Sequence, residues 1–434
     1  MNRFQPILFQ DALNIAREVT EAHGMGLGRS VTLVRDLRGK IRALLDGMPA
    51  SYSADALTVY RCALSERLGA YGFSPSQSIL FVDELQIDFE SLQKDRSLIE
   101  SASGLEIFLL DRQVTGHDWM RGVLPRQTSN PRFTFFGIKG GVGRSTALVH
   151  WAWHLAKQGK KVLVFDLDLE SPGVSEALLS MEALPDYGIV DWFVEEGVGQ
   201  EGTVEPEMVG LSQLAREEAG EIRVVPAHGK KSGAYLPKLS RCYAEFSGSG
   251  RLPWAERLQK MVESLERTWK PDVVLLDSRA GLHDIAAVLV TRMDADTLLL
   301  AVDSPQTWSA YGLLFRHWQT HPQVREFRDR LQIVASMVPE TGRANYLKSF
   351  TENAYNLFAN NLYDEAGADL EGFSFDLNDE DAPHYPLPIF WHRALQEFDP
   401  AREGMHDTTA REAMGLFLEQ VDRLLVSEQA RDLP

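Results

Sequence analysis

The sequence lacks the features that mark secreted and membrane-spanning proteins. It has two cysteines in 434 residues, Cys62 and Cys242, too few for a disulfide framework and not spaced as metal ligands. Its longest apolar stretches, such as residues 297–302, are far shorter than the ~20 residues that cross a bilayer. The first residues, MNRFQPILFQDALN, lack the basic start and continuous apolar core of a signal peptide. We therefore expect a cytoplasmic protein without a membrane span.

The sequence also lacks an excess of basic charge. Its formal net charge is −18, and residues 1–130 contain 14 basic and 16 acidic residues. The remaining 304 residues hold the other 30 basic and 46 acidic residues, a net charge of −16. Such an acidic segment is repelled by nucleic acid and by anionic lipid. Charge therefore disfavours nucleic acid as a partner, although a local basic patch at residues 228–241 leaves that possibility open.

A chain of this length is expected to form two or at most three domains. The clearest seam is RGVLPRQTSNPRF, residues 121–133, whose prolines and small polar residues favour a linker. We place an N-terminal α+β domain at residues 1–125 and a second domain at residues 126–434. In the N-terminal domain, helical pattern at residues 11–22 and 54–71 accompanies strand-like residues 78–85 and 105–111.

Beyond the seam, short apolar strands alternate with helical stretches. The predicted strands are residues 133–136, 162–165, 222–225, 273–276, 297–302, 331–335 and 387–390, and the predicted helices are residues 147–157, 255–268, 308–318 and 410–425. Nearly continuous apolar strands indicate a sheet covered on both faces. This alternation predicts an α/β domain with a doubly wound, mostly parallel sheet.

A glycine-rich turn, KGGVGRST at residues 139–146, joins the first of these strands to the first helix. Glycines let backbone N–H groups converge on phosphate, and the N-terminus of the following helix adds positive potential. The predicted nucleotide-binding residues are Lys139, Gly140, Gly141, Val142, Gly143, Arg144, Ser145 and Thr146. The pattern GxxxxGK[ST] is broken twice, by Ile138 at the first glycine and by Arg144 at the lysine.

Acidic residues at the ends of two later strands support phosphate binding. FDLDLESPG, residues 165–173, places Asp166 and Asp168 at the carboxyl end of a strand, where ligands bind in open α/β sheets. PDVVLLDSRAGLHD, residues 271–284, is an apolar strand that ends in Asp277, in the form of a metal-side carboxylate. Each acid alone is common at a strand end, but the ordered set favours a nucleotide site.

Together these motifs resemble the ParA/MinD family of deviant-Walker P-loop ATPases, of the SIMIBI class. The additional lysine of that family is matched by Lys139, its aspartate-bearing strand by Asp166 and Asp168, and its DSPAG motif by DSRAG at residues 277–281. EIRVVPAHG (221–229) and AVDSPQTWSAYGLL (301–314) resemble further strands of the family. The resemblance covers roughly residues 130–430.

The resemblance implies ATP and Mg²⁺ as ligands and a nucleotide-dependent homodimer. Lys139 would then reach the phosphates bound by the opposite subunit, and Asp168 would orient the attacking water. Ser145 would hold Mg²⁺, with Asp166 and Asp277 in its outer shell. The preference for adenine over guanine rests on the family alone.

Three departures from the family pattern concern the chemistry. Arg144 replaces the loop lysine and keeps the positive charge, but the planar guanidinium of arginine is not interchangeable with the compact ammonium of lysine. Arg144, Lys139 and Asp168 are the predicted catalytic residues. Arg279 replaces the proline of DSPAG, as a catalytic cation or as a plain ion-paired side chain. LQIVASMVPE, residues 331–340, lacks the asparagine that the family often uses for the base.

Three functions remain open. The first is a slowly hydrolysing ATPase that works as a dimerisation switch, with a protein partner recognised by the N-terminal domain. The second is a nucleotide-sensing scaffold that binds without turnover, and the third a phosphotransferase in which Asp168 acts near an acceptor hydroxyl. The variant loop and the unfamiliar N-terminal domain also suggest a bacterial accessory or defence system. The C-terminal helix, residues 411–429, is acidic and is expected to pack on the core rather than on a membrane.

Overall fold

The computed structural model describes residues 6–85, 96–99, 104–113, 115–244, 252–364, 372–395 and 407–431. These residues form two compact units, and the first ends at Thr115 while the second begins at Gly116. The boundary lies before the position 125/126 expected from the sequence, because the segment interpreted as a linker is bound to the second unit. The backbone N–H of Leu124 donates to the carbonyl of Arg292 at 2.9 Å, and that of Gln127 donates to Glu263 at 2.9 Å.

The first unit is a mixed sheet with two helices on one face. Its elements are α1 (Phe9–His23), β1 (Ser30–Arg35), β2 (Ile41–Leu45), α2 (Ala54–Leu68), β3 (Ile79–Phe81), β4 (Ser97–Ile99) and β5 (Glu106–Asp111). The strand order is β3-β2-β1-β5-β4, with β1 antiparallel to β2 and parallel to β5. Alternate residues of β1 and β2 pack with apolar residues of both helices. The expected α+β character of this region is confirmed.

The second unit contains the larger sheet. Its elements are β6 (Arg132–Gly137), α3 (Arg144–Lys157), β7 (Lys161–Asp166), α4 (Val174–Leu178), α5 (Ile189–Glu196), β8 (Gly210–Leu211), β9 (Glu221–Val225), α6 (Tyr235–Cys242), α7 (Trp254–Trp269), β10 (Val273–Asp277), α8 (Asp284–Ala287), β11 (Asp296–Ala301), α9 (Pro305–Trp318), β12 (Leu331–Val338), α10 (Arg343–Ala359), β13 (Leu387–Phe390) and α11 (Asp407–Arg431). Each strand and helix predicted in this region is present.

The strand order of the larger sheet is β13-β12-β11-β6-β10-β7-β9-β8. All neighbouring strands run parallel except β8, which is antiparallel to β9. Parallel pairing places the carboxyl ends of β6, β7 and β10 at one edge of the sheet. The loop that follows β6 therefore meets the acidic residues that end β7 and β10.

Helices cover both faces of the sheet, as the continuous apolar strands predict. On one face, α3 and α11 pack against alternate strand residues such as Phe133 and Phe135. On the other face, α7, α9 and α10 pack against the intervening residues, including Phe136 and Phe165. The doubly wound architecture is confirmed.

The C-terminal helix α11 packs on the core. Ala413, Met414, Phe417 and Val421 are buried against the sheet, and Asp422 accepts a hydrogen bond from the indole of Trp151 in α3 at 3.0 Å. The same carboxylate lies 2.9 Å from Nε2 of His154. Burial raises the pKa of Asp422, but its hydrogen bonds, including the one to His154, lower it below the ordinary value. No helix in the described part of the chain combines the length and the apolar run that a membrane span requires.

A fully buried ion pair ties the start of β6 to α7. The guanidinium of Arg132 donates from Nε and Nη2 to the two carboxylate oxygens of Glu266, at 2.8 and 2.7 Å. Both side chains have zero exposure. Nη1 of Arg132 also donates to the carbonyl of Met293 at 3.1 Å. A buried pair is stable only when its remaining hydrogen bonds are satisfied, and loss of one partner leaves an uncompensated charge.

We expect Arg132→Met to destabilise the second unit by about 3–5 kcal/mol, because it leaves Glu266 charged and buried. All nine tryptophans lie at or beyond residue 119, so tryptophan fluorescence during urea denaturation follows this unit. The control is Lys348→Ala, which removes an exposed ion pair to Glu352 and should cost about 0.5 kcal/mol or less. Equal effects of the two substitutions would contradict the assignment.

Candidate functional site

The glycine-rich loop connects β6 to helix α3. Within the sheet, β6 lies between β10 and β11. Gly141 and Gly143 have positive φ angles of 72° and 79°, which residues with a side chain rarely adopt. Val142 between them is buried in the core and fixes the loop to the sheet. The loop thus presents its backbone at the N-terminus of α3, the geometry that binds phosphate.

Arg144, the first residue of α3, points into the acidic edge of the sheet. Its Nε donates to Oδ1 of Asp277 at 2.7 Å, and its Nη2 donates to Oδ2 of Asp168 at 2.9 Å. Ser145 donates its hydroxyl to the other oxygen of Asp277, Oδ2, at 2.8 Å. The structure therefore brings four of the predicted site residues into direct contact.

Asp166 ends β7 and is fully buried beside this group. Its Oδ2 accepts hydrogen bonds from the backbone N–H and the hydroxyl of Ser175, at 3.0 and 2.5 Å. This contact attaches α4 to β7. The sequence analysis missed Ser175, although a serine nine residues after a strand-end acid is the kind of residue that satisfies a buried carboxylate.

Burial and mutual repulsion shift the titration of these acids. Burial, followed by the negative charge of Asp277, raises the pKa of Asp166 to about 7. Burial raises the pKa of Asp168 by more than the cation of Arg144 lowers it. Burial also opposes the charge of Arg144, but Asp277 and Asp168 outweigh it, so the pKa of the guanidinium lies above its ordinary value. The edge of the sheet is thus a strongly negative site held by one cation.

The residues present fit a hydrated Mg²⁺ ion. Among the described residues, Oδ1 of Asp166 and Oδ1 of Asp168 are buried and have no hydrogen-bond partner. Mg²⁺ usually keeps several waters and binds through few protein oxygens together with substrate phosphates. Two free carboxylate oxygens and the hydroxyl of Ser145 are suitable acceptors for such an ion and its waters.

A second cluster joins the loop that carries Asp168 to the loop that follows β10. Glu170 accepts a hydrogen bond from the hydroxyl of Tyr243 at 2.8 Å and pairs with Arg279 at 2.7 Å. Nε2 of His283 lies 3.5 Å from the same carboxylate. Arg279 is therefore an ion-paired side chain, one of the two roles considered from the sequence.

Two tyrosines attach helix α6 to this loop. Tyr235 donates its hydroxyl to the carbonyl of Leu169 at 2.5 Å, next to Asp168, while Tyr243 binds Glu170. Burial, with Glu170 next, raises the pKa of Tyr243, so its hydroxyl stays protonated and donates. Glu170, Tyr235 and Tyr243 were not predicted from the sequence. The one available signal was the position of Glu170, two residues after Asp168.

Among the described residues, Lys139, Gly140 and Thr146 make no hydrogen bond or ion pair to the acidic group. Lys139 and Gly140 are exposed at the tip of the loop, and Thr146 is half-buried in α3. Among the residues that the structure describes, none pairs with Lys139 within the 4.0 Å of an ion pair. Its side chain is thus free to contact a ligand or a second molecule.

The basic stretch at residues 228–241 is engaged within the unit. Lys230 donates to the carbonyl of Glu182 at 2.9 Å, Lys231 pairs with Asp186 at 2.5 Å, and Lys238 pairs with the buried Asp191 at 2.6 Å. These contacts engage the three lysines within the unit, and residues 235–241 of the stretch belong to helix α6. The turn at His117–Trp119 is structural as well, because Asp118 pairs with Arg292 at 2.6 Å and Trp119 is buried.

Comparison with known proteins finds a family match for the part of the chain that contains the site. A family model described as the CobQ/CobB/MinD/ParA nucleotide binding domain matches residues 133–306. Nitrogenase iron protein 2 of Methanothermococcus thermolithotrophicus is 32% identical over 149 residues, which are 34% of this chain and 46% of that protein. This chain therefore spans about half the length of the curated relative it matches.

Solved structures show more distant likenesses. A ParA family ATPase from Chlorobium tepidum TLS has 14% identity and a TM-score of 0.40, over 69% of this chain and 99% of that chain. The pNOB8 ParA protein, solved bound to nonspecific DNA, has 16% identity and a TM-score of 0.42, over 70% of this chain and 100% of that chain.

We expect Glu170→Gln to loosen the loop at residues 167–173. The substitution weakens the charge-assisted bonds to Tyr243 and Arg279, each worth ~1.5–3 kcal/mol, so amide hydrogen exchange in this peptide should rise about tenfold. Glu176→Gln is the matched control, since Glu176 is exposed on the adjacent helix α4. Mass spectrometry that detects equal exchange in both variants would show that the cluster does not hold the loop.

Proposed function

We propose that the chain, whose residues 133–306 match the CobQ/CobB/MinD/ParA nucleotide binding domain, is an ATP-dependent dimerisation switch with slow ATP hydrolysis. The observation that carries the proposal is the direct contact of Arg144 and Ser145, at the start of α3, with Asp168 and Asp277. Phosphoryl transfer needs positioning and charge neutralisation more than covalent chemistry. This group of residues supplies both.

The loop and the start of α3 would bind the phosphates of the nucleotide. Backbone N–H groups of residues 140–146 and the helix N-terminus favour anions there. When Mg²⁺ is bound with the nucleotide, it supplies neutralisation of phosphate charge. Ser145, Asp166 and Asp277 are the residues that would hold it.

Asp168 is the candidate for orienting the attacking water. It lies at the edge of the group, 8% exposed, and its Oδ1 has no hydrogen-bond partner among the described residues. Its other oxygen is bound to Arg144. Asp168 can therefore accept a hydrogen bond from a water while Arg144 neutralises its charge or moves to the phosphates.

Lys139 is proposed to act across a dimer. Its exposure at the loop tip separates it from the acidic group of its own chain, whereas Arg144 already provides the cation of that group. A lysine in this position can contact phosphates held by a second copy and stabilise negative charge there. Hydrolysis would then require two chains, so activity would depend on protein concentration.

A specific observation also favours the second function, a nucleotide sensor without turnover. Arg144 holds the carboxylate of Asp168 through a charge-assisted bond of 2.9 Å. If this bond persists when nucleotide is bound, one oxygen of Asp168 stays occupied and hydrolysis is suppressed. The same geometry thus serves a switch or a sensor, and turnover distinguishes them.

Recognition of a protein partner is proposed for the first unit. It has its own sheet and its own core of helix and strand residues, so it forms a module in addition to the nucleotide domain. The internal pairing of Lys230, Lys231 and Lys238 supports a partner other than nucleic acid.

The experiment is ATP hydrolysis in Mg²⁺ across a range of protein concentrations. We expect a specific activity that rises with concentration, and a loss of about 100-fold or more in both Lys139→Ala and Asp168→Ala, since each removes a group that acts on the transition state. Lys348→Ala, an exposed lysine of α10, is the control and should retain full activity. Measurable ATP binding with background turnover at every concentration would instead select the sensor.

A further inference from the structure

The two bonds from Arg144 connect carboxylates that belong to different strands. Asp168 follows β7, Asp277 ends β10, and the guanidinium binds one oxygen of each through separate nitrogens at 2.9 and 2.7 Å. The three side chains are largely enclosed, with exposures of 11% for Arg144, 11% for Asp168 and 1% for Asp277. The contact is therefore a built ion triad.

The triad places a positive charge among carboxylates that the sheet brings close together. Asp168 and Asp277 bind the same guanidinium, and Asp166 ends β7 two residues before Asp168. Buried carboxylates without a cation are costly. Among the described residues, Arg144 is the one cationic side chain within 4.0 Å of any of the three. An arginine fork can bind two carboxylates at once, whereas a lysine offers a single point charge.

A divalent cation would use the same negative charge. No group of three or more acidic, histidine or cysteine side chains in the described ranges is arranged to hold a metal ion by itself. Yet two buried oxygens that could face a hydrated ion, Oδ1 of Asp166 and Oδ1 of Asp168, have no hydrogen-bond partner there. Acceptors are present, while Arg144 already offsets part of their negative charge.

We infer that Arg144 is the built-in counter-cation of these carboxylates before nucleotide binds, and that a divalent ion and the Arg144 guanidinium exclude each other there. The inference rests on the proposed nucleotide-binding function and adds the order in which nucleotide and metal ion bind. Arg144 leaves the carboxylates for the phosphates when nucleotide arrives, and the metal ion replaces its charge. The metal consequently enters with the nucleotide and not before it.

The test is Mn²⁺ binding followed by electron paramagnetic resonance, without nucleotide and without any measurement of hydrolysis. Wild type should bind Mn²⁺ weakly, at the level of surface carboxylates, while Arg144→Gln should bind one ion at least tenfold more tightly. Arg316→Gln removes the same charge from an exposed position in α9 and should match wild type. Arg144→Gln combined with Asp168→Asn should lose the gain, which would locate the ion.

One further variant, Arg144→Lys, tests the inference if Arg144→Gln cannot be studied. If Arg144→Gln does not fold by circular dichroism, Arg144→Lys retains the charge but lacks the rigid fork that fits both carboxylates, and Mn²⁺ affinity should rise about threefold. Wild-type affinity in a folded variant would overturn the inference. Tight Mn²⁺ binding by nucleotide-free wild type would overturn it as well.

A measurement with nucleotide distinguishes failure of this inference from failure of the proposed function. Adding a non-hydrolysable ATP analogue to wild type should produce one tightly bound Mn²⁺ per chain. If the analogue does not bind, the proposed function fails, while the comparison of the nucleotide-free variants still decides whether Arg144 excludes the metal.

Discussion

The bridge from Arg144 to Asp168 and Asp277 is the interaction on which the site depends. It joins the first turn of α3 to the loops after β7 and β10, and it neutralises charge that the parallel sheet unavoidably brings together. The sheet order β10-β6 and β10-β7 places these strand ends side by side, so the acids cannot separate. The loop, the acids and the cation therefore form one electrostatic unit, in which the position of the guanidinium determines what else can bind.

The strands that carry these acids are held by buried contacts, whereas the loop that carries Asp168 is held by partly exposed ones. The strands are held by the buried pair of Arg132 and Glu266 and by cores on both faces, so the acids have a fixed base. The loop carrying Asp168 is held through side chains that are partly exposed, mainly Glu170, Tyr243 and Arg279. A change at α6 or at Arg279 can therefore reach Asp168 without disturbing the sheet. This division is the one expected of a nucleotide-responsive switch.

Sequence patterns predicted the larger sheet well, because its strands are continuous apolar runs that end in chemically distinct residues. The glycines of the loop, Ser145 and Asp277 were selected as candidate site residues because their order along the chain is typical of phosphate-binding sites. Strands β1 and β2 of the first unit were missed, since their short alternating pattern differs little from that of helices and loops. The domain boundary was expected at 125/126, within the proline-rich segment 121–133, but that segment binds along the second unit.

The contacts of Arg144, Glu170 and Tyr243 could not be predicted from the sequence. Arg144 and Asp277 are 133 residues apart along the chain, and no local pattern says whether a loop arginine faces the ligand or the neighbouring strand ends. The most direct measurement is a crystal structure of the chain with Mg²⁺ and a non-hydrolysable ATP analogue. The account predicts that the guanidinium of Arg144 binds phosphate oxygens and no longer contacts both Asp168 and Asp277. A bound nucleotide with the triad of Arg144, Asp168 and Asp277 intact would contradict it.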